Sequence, residues 1–226
     1  MQGKVLIVTG ALGALGKVVA ETAQSRGARV AGIDHAPSQI SATPERIEIG
    51  GVDLSDAAQA KTAVEAAARH FGKLDALINI AGGFAFETVG DGDVKTWQRM
   101  HALNVLTALN ASQAALPHLA ASNAGRIVNI GAMGALQAGS GMGSYAASKA
   151  GVHRLTEALA SEWKGKVTVN AVLPSIIDTK ANRADMPKAD FAKWVTPQEL
   201  AEIILFLASD AASGVTGALI PVGGRV

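Results

Sequence analysis

The 226-residue sequence has no cysteine and only one tyrosine. Without cysteine there are no disulfides and no thiolate ligands, and no metal site is expected. An excess of one charge is also lacking. Twenty Lys and Arg face nineteen Asp and Glu, a formal net charge of +1 with no dense basic stripe. A nucleic-acid partner is therefore not expected. The apolar runs fall well short of the roughly 18 residues that a plain membrane span needs, so no membrane partner is expected either. The opening "MQGKVLIVTG" enters a short apolar run and a glycine, too brief for the apolar region and cleavage site of a secretory leader. A soluble, cytoplasmic protein is expected. There is no internal repeat, low-complexity tract or linker.

What is present is core material: 49% of the residues are hydrophobic. Strands are expected at 4–10, 28–34, 46–54, 74–82, 125–131, 166–174 and 217–222. Helices are expected at 14–27, from Asp56 to about His70, at 144–163 and at 196–210. Two helical segments are expected within 93–120. Gly27 is a fitting C-terminal stop, and Thr196 with Pro197 a fitting start. The strands are apolar along their length, which suits a parallel sheet covered on both faces. The predicted class is α/β: residues 1–226 form a single Rossmann-like domain, a doubly wound, seven-stranded parallel sheet flanked by helices. The irregular stretch 175–195 reads as a cover over an active site.

"TGALGALG" (9–16) lies between the first strand and first helix. Glycine there allows a tight turn and close backbone approach to a phosphate, and the helix start offers free N–H groups. Asp34 ends the second strand about 20 residues later, where a carboxylate can accept ribose hydroxyls and repel a 2′-phosphate. Its neighbours Ile33, His35 and Ala36 include no Arg or Lys. NAD(H) is favoured, and NADP(H) stays open because His35 can carry charge. Asp53 either contacts an adenine or caps the helix beginning near Asp56.

Several motifs then fall into order. Thr9-Gly10-x-x-x-Ala14-x-Gly16, Asn79-Ile80-Ala81-Gly82, Asn104, Tyr145-x-x-x-Lys149, Pro174-Ser175 with Thr179 downstream, and Val222-Gly223-Gly224 run the length of the chain. In that order the sequence resembles the short-chain dehydrogenase/reductase family. Within it, the segment 172–194, "GALG" (13–16), "AGG" (81–83) and "SGM" (140–142) are similar to dihydropteridine reductase-like members. The resemblance implies a nicotinamide dinucleotide bound by Gly10, Leu12, Gly13, Ala14, Leu15, Gly16, Asp34, Asp53, Leu54, Asn79, Ala81, Gly82, Tyr145, Lys149, Pro174, Ile177 and Thr179. It implies Tyr145, Lys149 and Asn104 as catalytic residues and a small-molecule substrate. It also implies a homodimer or homotetramer built on helices 102–120 and 145–163.

Tyr145 and Lys149 stand at i and i+4, on one helix face. A tyrosine hydroxyl normally titrates near 10, too high for a neutral-pH base. A nearby ammonium and an oxidised nicotinamide would favour phenolate and lower that value. Tyr145 is expected to give a proton to the substrate as hydride arrives, or to take it in reverse. The family serine, thirteen residues before the tyrosine, is replaced by Ala132. Three readings stay open: Ser140 or Ser144 replaces it; the substrate is an imine or quinonoid acceptor that needs no second donor; or catalysis is lost and the chain is a dinucleotide-binding regulator. Phe84, Ala132, Met133, Met142 and Trp194 are expected to line the substrate pocket, with ordinary core packing open for each. His101 and His153 read as structural or surface residues.

Overall fold

The computed structural model describes residues 1–38 and 42–226. Seven strands, β1 (Val5–Thr9), β2 (Arg29–Ile33), β3 (Arg46–Ile49), β4 (Ala76–Asn79), β5 (Gly125–Ile130), β6 (Val167–Pro174) and β7 (Leu219–Val222), form one parallel sheet. Their order is β3-β2-β1-β4-β5-β6-β7. The winding reverses at β1, which pairs with β2 on one side and β4 on the other. At that reversal a crevice opens beyond the carboxyl ends of the strands.

The helices are α1 (Ala14–Ser25), α2 (Ala57–Phe71), α3 (Val94–His101), α4 (Thr107–Ala121), α5 (Gly143–Glu162), α6 (Lys180–Asp185) and α7 (Pro197–Leu207). Successive strand side chains point to opposite faces. Val5, Ile7, Leu77 and Ile127 therefore pack with Val64 and Phe71 of α2, Leu119 of α4 and Leu159 of α5. Leu6, Val8, Ile78 and Val128 pack with Leu15 and Val19 of α1 and with Leu200 and Ile204 of α7. Both phases of each central strand are buried, which is why the strands read as unbroken apolar runs. Among the described residues no helix is long and apolar enough to cross a membrane.

Local chemistry sets the ends. Asp56 caps α2 by accepting from the Ala58 and Gln59 N–H groups at 2.8 and 3.1 Å. Thr196 and Glu199 form a reciprocal capping box on α7. Gly27, at φ +80°, closes α1.

Three expectations need correction. The third strand stops at Ile49 instead of 54; beyond it Gly50 runs so close to the Ser38 backbone that a β-carbon would overlap it, and Gly51 takes φ +73°. The segment 93–120 holds both expected helical segments, α3 and α4, but they are joined without a break by a π-helical turn at Ala102–Leu106. The stretch 175–195 carries structure of its own: α6, a short 3-10 turn at Phe191–Lys193, and a bridge between Ile177 and Val195.

Candidate active site

A cavity of about 700 Å³ occupies the crevice. Gly10, Leu12, Gly13, Ala14, Leu15 and Gly16 line it, with Asp34, Asp53 and Leu54 at one end and Ala81 and Gly82 at the other. The turn is closed by the Gly13 N–H donating to the Gly10 carbonyl at 3.1 Å. Gly10 sits at φ +65°, and a β-carbon there would lie 3.0 Å from the Ala81 nitrogen. A β-carbon on Gly16 would overlap the Gly10 carbonyl oxygen. Only glycine lets the first turn of α1 approach this closely. No acidic side chain stands in that turn, so its N–H groups remain available to an anion. Thr9 Oγ1 accepts from the Ile80 and Ala81 N–H groups at 3.0 and 3.1 Å, tying the far wall to β1.

Asp34 accepts the Leu12 N–H and the Ala36 N–H, each at 2.9 Å. Its carboxylate therefore braces the glycine loop while facing the cavity. Asp53 accepts from the Ser55 N–H and hydroxyl at 2.9 and 2.7 Å. It leaves helix capping to Asp56, so the capping role falls away. Among the described residues no Lys or Arg lines the cavity.

Six expected cofactor residues, Asn79, Tyr145, Lys149, Pro174, Ile177 and Thr179, stand outside the cavity lining. The Asn79 side chain turns away from the cavity into the core, donating to Asn129 Oδ1 at 2.8 Å and Ser112 Oγ at 3.1 Å. The Thr179 hydroxyl caps α6 by accepting from the Asn182 N–H at 3.2 Å. The Ile177 carbonyl accepts from Asn182 Nδ2 at 2.8 Å. Pro174 ends β6 against Val222. The lining also includes His35, Ala36, Val52, Ser55, Ile80, Leu103 and Thr107, none of which the sequence reading assigned to it. Ile80 and Val52 adjoin motif residues, which was a usable signal; Leu103 and Thr107 had none.

The chemistry-bearing side chains gather at the Gly82 end. A β-carbon at Gly82 would lie 2.5 Å from Asn104 Oδ1 and 3.5 Å from Lys149 Nζ. The π turn aims Asn104 inward. Its amide donates to the Gly83 carbonyl and accepts from the Gly83 N–H, both at 3.0 Å, and also donates to Ser148 Oγ at 2.9 Å. Extra-residue helical turns of this kind are frequent at functional sites. Tyr145 is partly buried, and Phe84 meets its ring edge-on at 5.0 Å between centroids.

Burial dominates the protonation of the pair. It pushes the Tyr145 phenol up to about 12 and pulls the Lys149 ammonium down to about 8. The expected lowering of Tyr145 by Lys149 does not occur in the chain alone. Lys149 donates instead to the Ile130 carbonyl at 2.8 Å. Between about pH 8 and the ordinary lysine value of 10.5 the unfolded chain holds more protons, so stability rises with pH across that window. Below it the buried ammonium costs roughly 3 kcal/mol, against roughly 1–3 kcal/mol for orphaning the Ile130 carbonyl. Lys149→Met is therefore expected to melt at or above the wild-type temperature at neutral pH by scanning calorimetry. A drop of more than about 3 °C, roughly 1 kcal/mol, would show that the carbonyl bond outweighs the burial cost.

The wall beside Tyr145 is mixed. Ala132 is 5% exposed at the end of β5. Ser140 is exposed on its loop, and Ser144 is 2% exposed with a hydroxyl that has no partner. Phe84 is 55% exposed and available to a ligand. Met133 and Met142 are partly buried. Trp194 departs from expectation: at 3% exposure and stacked at a tilt on Phe191, it anchors 175–195 and offers almost no surface.

Comparison with known proteins places this arrangement. The short chain dehydrogenase family model matches residues 4–190. A 3-oxoacyl-acyl-carrier-protein reductase FabG of Thermotoga maritima is 30% identical over 240 residues, covering 99% of this chain and 98% of the relative. A 2-dehydro-3-deoxy-D-gluconate 5-dehydrogenase of Escherichia coli is 32% identical over 241 residues, covering 99% and 95%. Carveol dehydrogenase from Mycobacterium avium, solved in complex with NAD, superposes with a TM-score of 0.86 at 27% identity, covering 99% and 97%.

Proposed function

The chain belongs to the short-chain dehydrogenase/reductase family of NAD(P)-dependent oxidoreductases, and from that premise we propose that it reduces a small carbonyl, imine or quinonoid substrate with NADH, using Tyr145 as the acid. One observation carries this reading: the dinucleotide-sized cavity ends at Gly82, within reach of both Asn104 and Lys149. The cavity fits the cofactor chemically as well. The α1 N-terminus offers N–H groups to a diphosphate. Asp34 offers a carboxylate to ribose hydroxyls, and among the described residues the lining holds no Lys or Arg to neutralise a 2′-phosphate. Pro174, Ile177 and Thr179 stand outside the cavity lining in the chain alone, and we assign them to the nicotinamide end from the family resemblance.

When bound, the dinucleotide supplies a hydride to the substrate. The chain supplies the proton. A phenol held near 12 is protonated at neutral pH, the state needed to donate in the reductive direction. Lys149 places a cation beside the nicotinamide ribose and helps the phenol recover its proton from water. Asn104 fixes Gly83 and, through Ser148, the turn of α5 that carries Tyr145.

The finer substrate reading rests on the wall. Phe84, Met133 and Met142 make it apolar, and Ala132 withdraws the usual second donor. An imine or quinonoid acceptor, as in dihydropteridine reductase-like enzymes, suits a site with one main donor. The curated relatives act on quite different molecules by their names, and at 30–32% identity none of them fixes the substrate. The reading also includes a single cytoplasmic domain, with 175–195 as substrate cover, acting as a homodimer or homotetramer.

The test is NADH oxidation, with NADPH in parallel, against quinonoid pterins, quinones, imines and ketones. Turnover is expected with NADH and an imine or quinonoid substrate. Tight NADH binding without turnover on any of them would replace the enzyme reading with that of a dinucleotide-binding regulator.

A further inference from the structure

The helix that carries Tyr145 and Lys149 bears a third ionisable group on the same stripe, His153, one turn beyond the lysine. It is 2% exposed. Its Nε2 accepts the Ala132 N–H at 3.3 Å, so the ring is neutral with its proton on Nδ1. The Nε2–Cδ2 edge of the imidazole meets the strand end. A β-carbon on Gly131 would lie 2.5 Å from Nε2 and 3.1 Å from Leu173 Cδ1. Together with the bond from Lys149 to the Ile130 carbonyl, this contact stitches the last peptides of β5 to adjacent turns of α5. The stitched segment ends in Ala132, where the family serine would stand.

We propose that His153 is a positioning residue for the reaction: as a neutral imidazole it holds the Ala132 wall and the anchor of Lys149 in register with Tyr145, and its protonation releases both. The inference rests on the reading of Tyr145 and Lys149 as the reactive pair. Two features make the release credible. An imidazolium has no lone pair for the Ala132 N–H. Among the described residues no carboxylate offsets the new charge: the charges acting on His153 are Arg154 and Lys149, both cations on its own helix, while the end of β5 and β6 present Gly131, Ala132 and Leu173. Burial first, then those two cations, hold the imidazole below its ordinary range. The unfolded chain then binds the proton more readily, so stability also falls as pH drops below about 6.5.

The test pairs nuclear magnetic resonance with kinetics. In ¹⁵N-labelled wild type, the Ala132 amide is expected to shift in one step with the His153 ring between about pH 5 and pH 8, with a midpoint below the ordinary histidine value. In His153→Gln, whose side-chain oxygen can accept but not titrate, that step disappears. The acid limb of kcat governed by it disappears as well, while kcat at neutral pH stays within about threefold. His153→Leu removes the acceptor and is expected to lower kcat about tenfold, with NADH affinity within about twofold. An Ala132 amide that ignores His153 overturns the proposal, as do Gln and Leu variants impaired alike. Should the Leu variant fail to fold, wild type and His153→Gln still decide. If no substrate is turned over, the enzyme reading fails by itself and the amide titration still judges the contact.

Discussion

Tyr145→Phe is expected to lower turnover about 10³-fold, the usual scale of a lost general acid, while changing NADH affinity by no more than about twofold. Little else should change. Among the described residues the Tyr145 hydroxyl makes no hydrogen bond to the protein, so its removal orphans no partner. The phenyl ring keeps the edge-on contact with Phe84. Lys149 keeps the Ile130 carbonyl and Asn104 keeps Gly83. The melting temperature is therefore expected to stay within about 2 °C, no more than roughly 1 kcal/mol for a chain this size. Fluorescence titration with NADH and steady-state oxidation by one sample separate the two effects. A loss smaller than about tenfold would move proton donation to another group.

Ala132→Ser is the second large effect, and it runs the other way. Adding a hydroxyl where the transition state of a carbonyl reduction gathers charge is expected to raise ketone turnover about 10²-fold. The backbone there, at φ −159° and ψ 141°, is ordinary extended chain that serine adopts freely. The N–H is already held by His153, so the new hydroxyl is not drawn to it. Turnover of imine or quinonoid substrates is expected to change less than threefold, since they accept the proton from Tyr145 without a second donor. Unchanged ketone turnover would mean that the alanine says nothing about the substrate.

Much of this was readable in the residues. The strands are apolar in both phases, and that alone announced a sheet covered on both faces. The Gly10–Gly16 turn and Asp34 located the crevice, and the Tyr145–Lys149 spacing pointed to the end we propose as reactive. What stayed hidden depended on contacts between distant segments. Nothing in "HALNV" announces a π turn, because the Gly83 and Ser148 contacts that hold Asn104 come from elsewhere in the chain. An i, i+4 spacing places Lys149 on the face of Tyr145, yet its partner is the carbonyl of Ile130 on another element. Asn79 sits inside a motif, but Asn129 on the next strand and Ser112 on α4 draw its side chain into the core. Trp194 had the size and place of a pocket wall, and tertiary packing closed it off. His153 was indistinguishable from any helical histidine until β5 was laid against it.

The π turn at Ala102–Leu106 has a further consequence, best stated as phase. An α-helix advances 100° per residue, so one surplus residue in a turn offsets everything after it relative to everything before. The continuous rod from Val94 to Ala121 can thus keep α3 against α5 and α4 against α2, two neighbours that a uniform helix would not serve with one apolar stripe. Asn104 sits at the phase step itself. Removing a single residue there would let the rod relax into one uniform helix, rotating one half against its neighbour and carrying Asn104 away from Gly83. The sheet would keep its strands and the glycine turn its shape, while the reactive end lost its alignment.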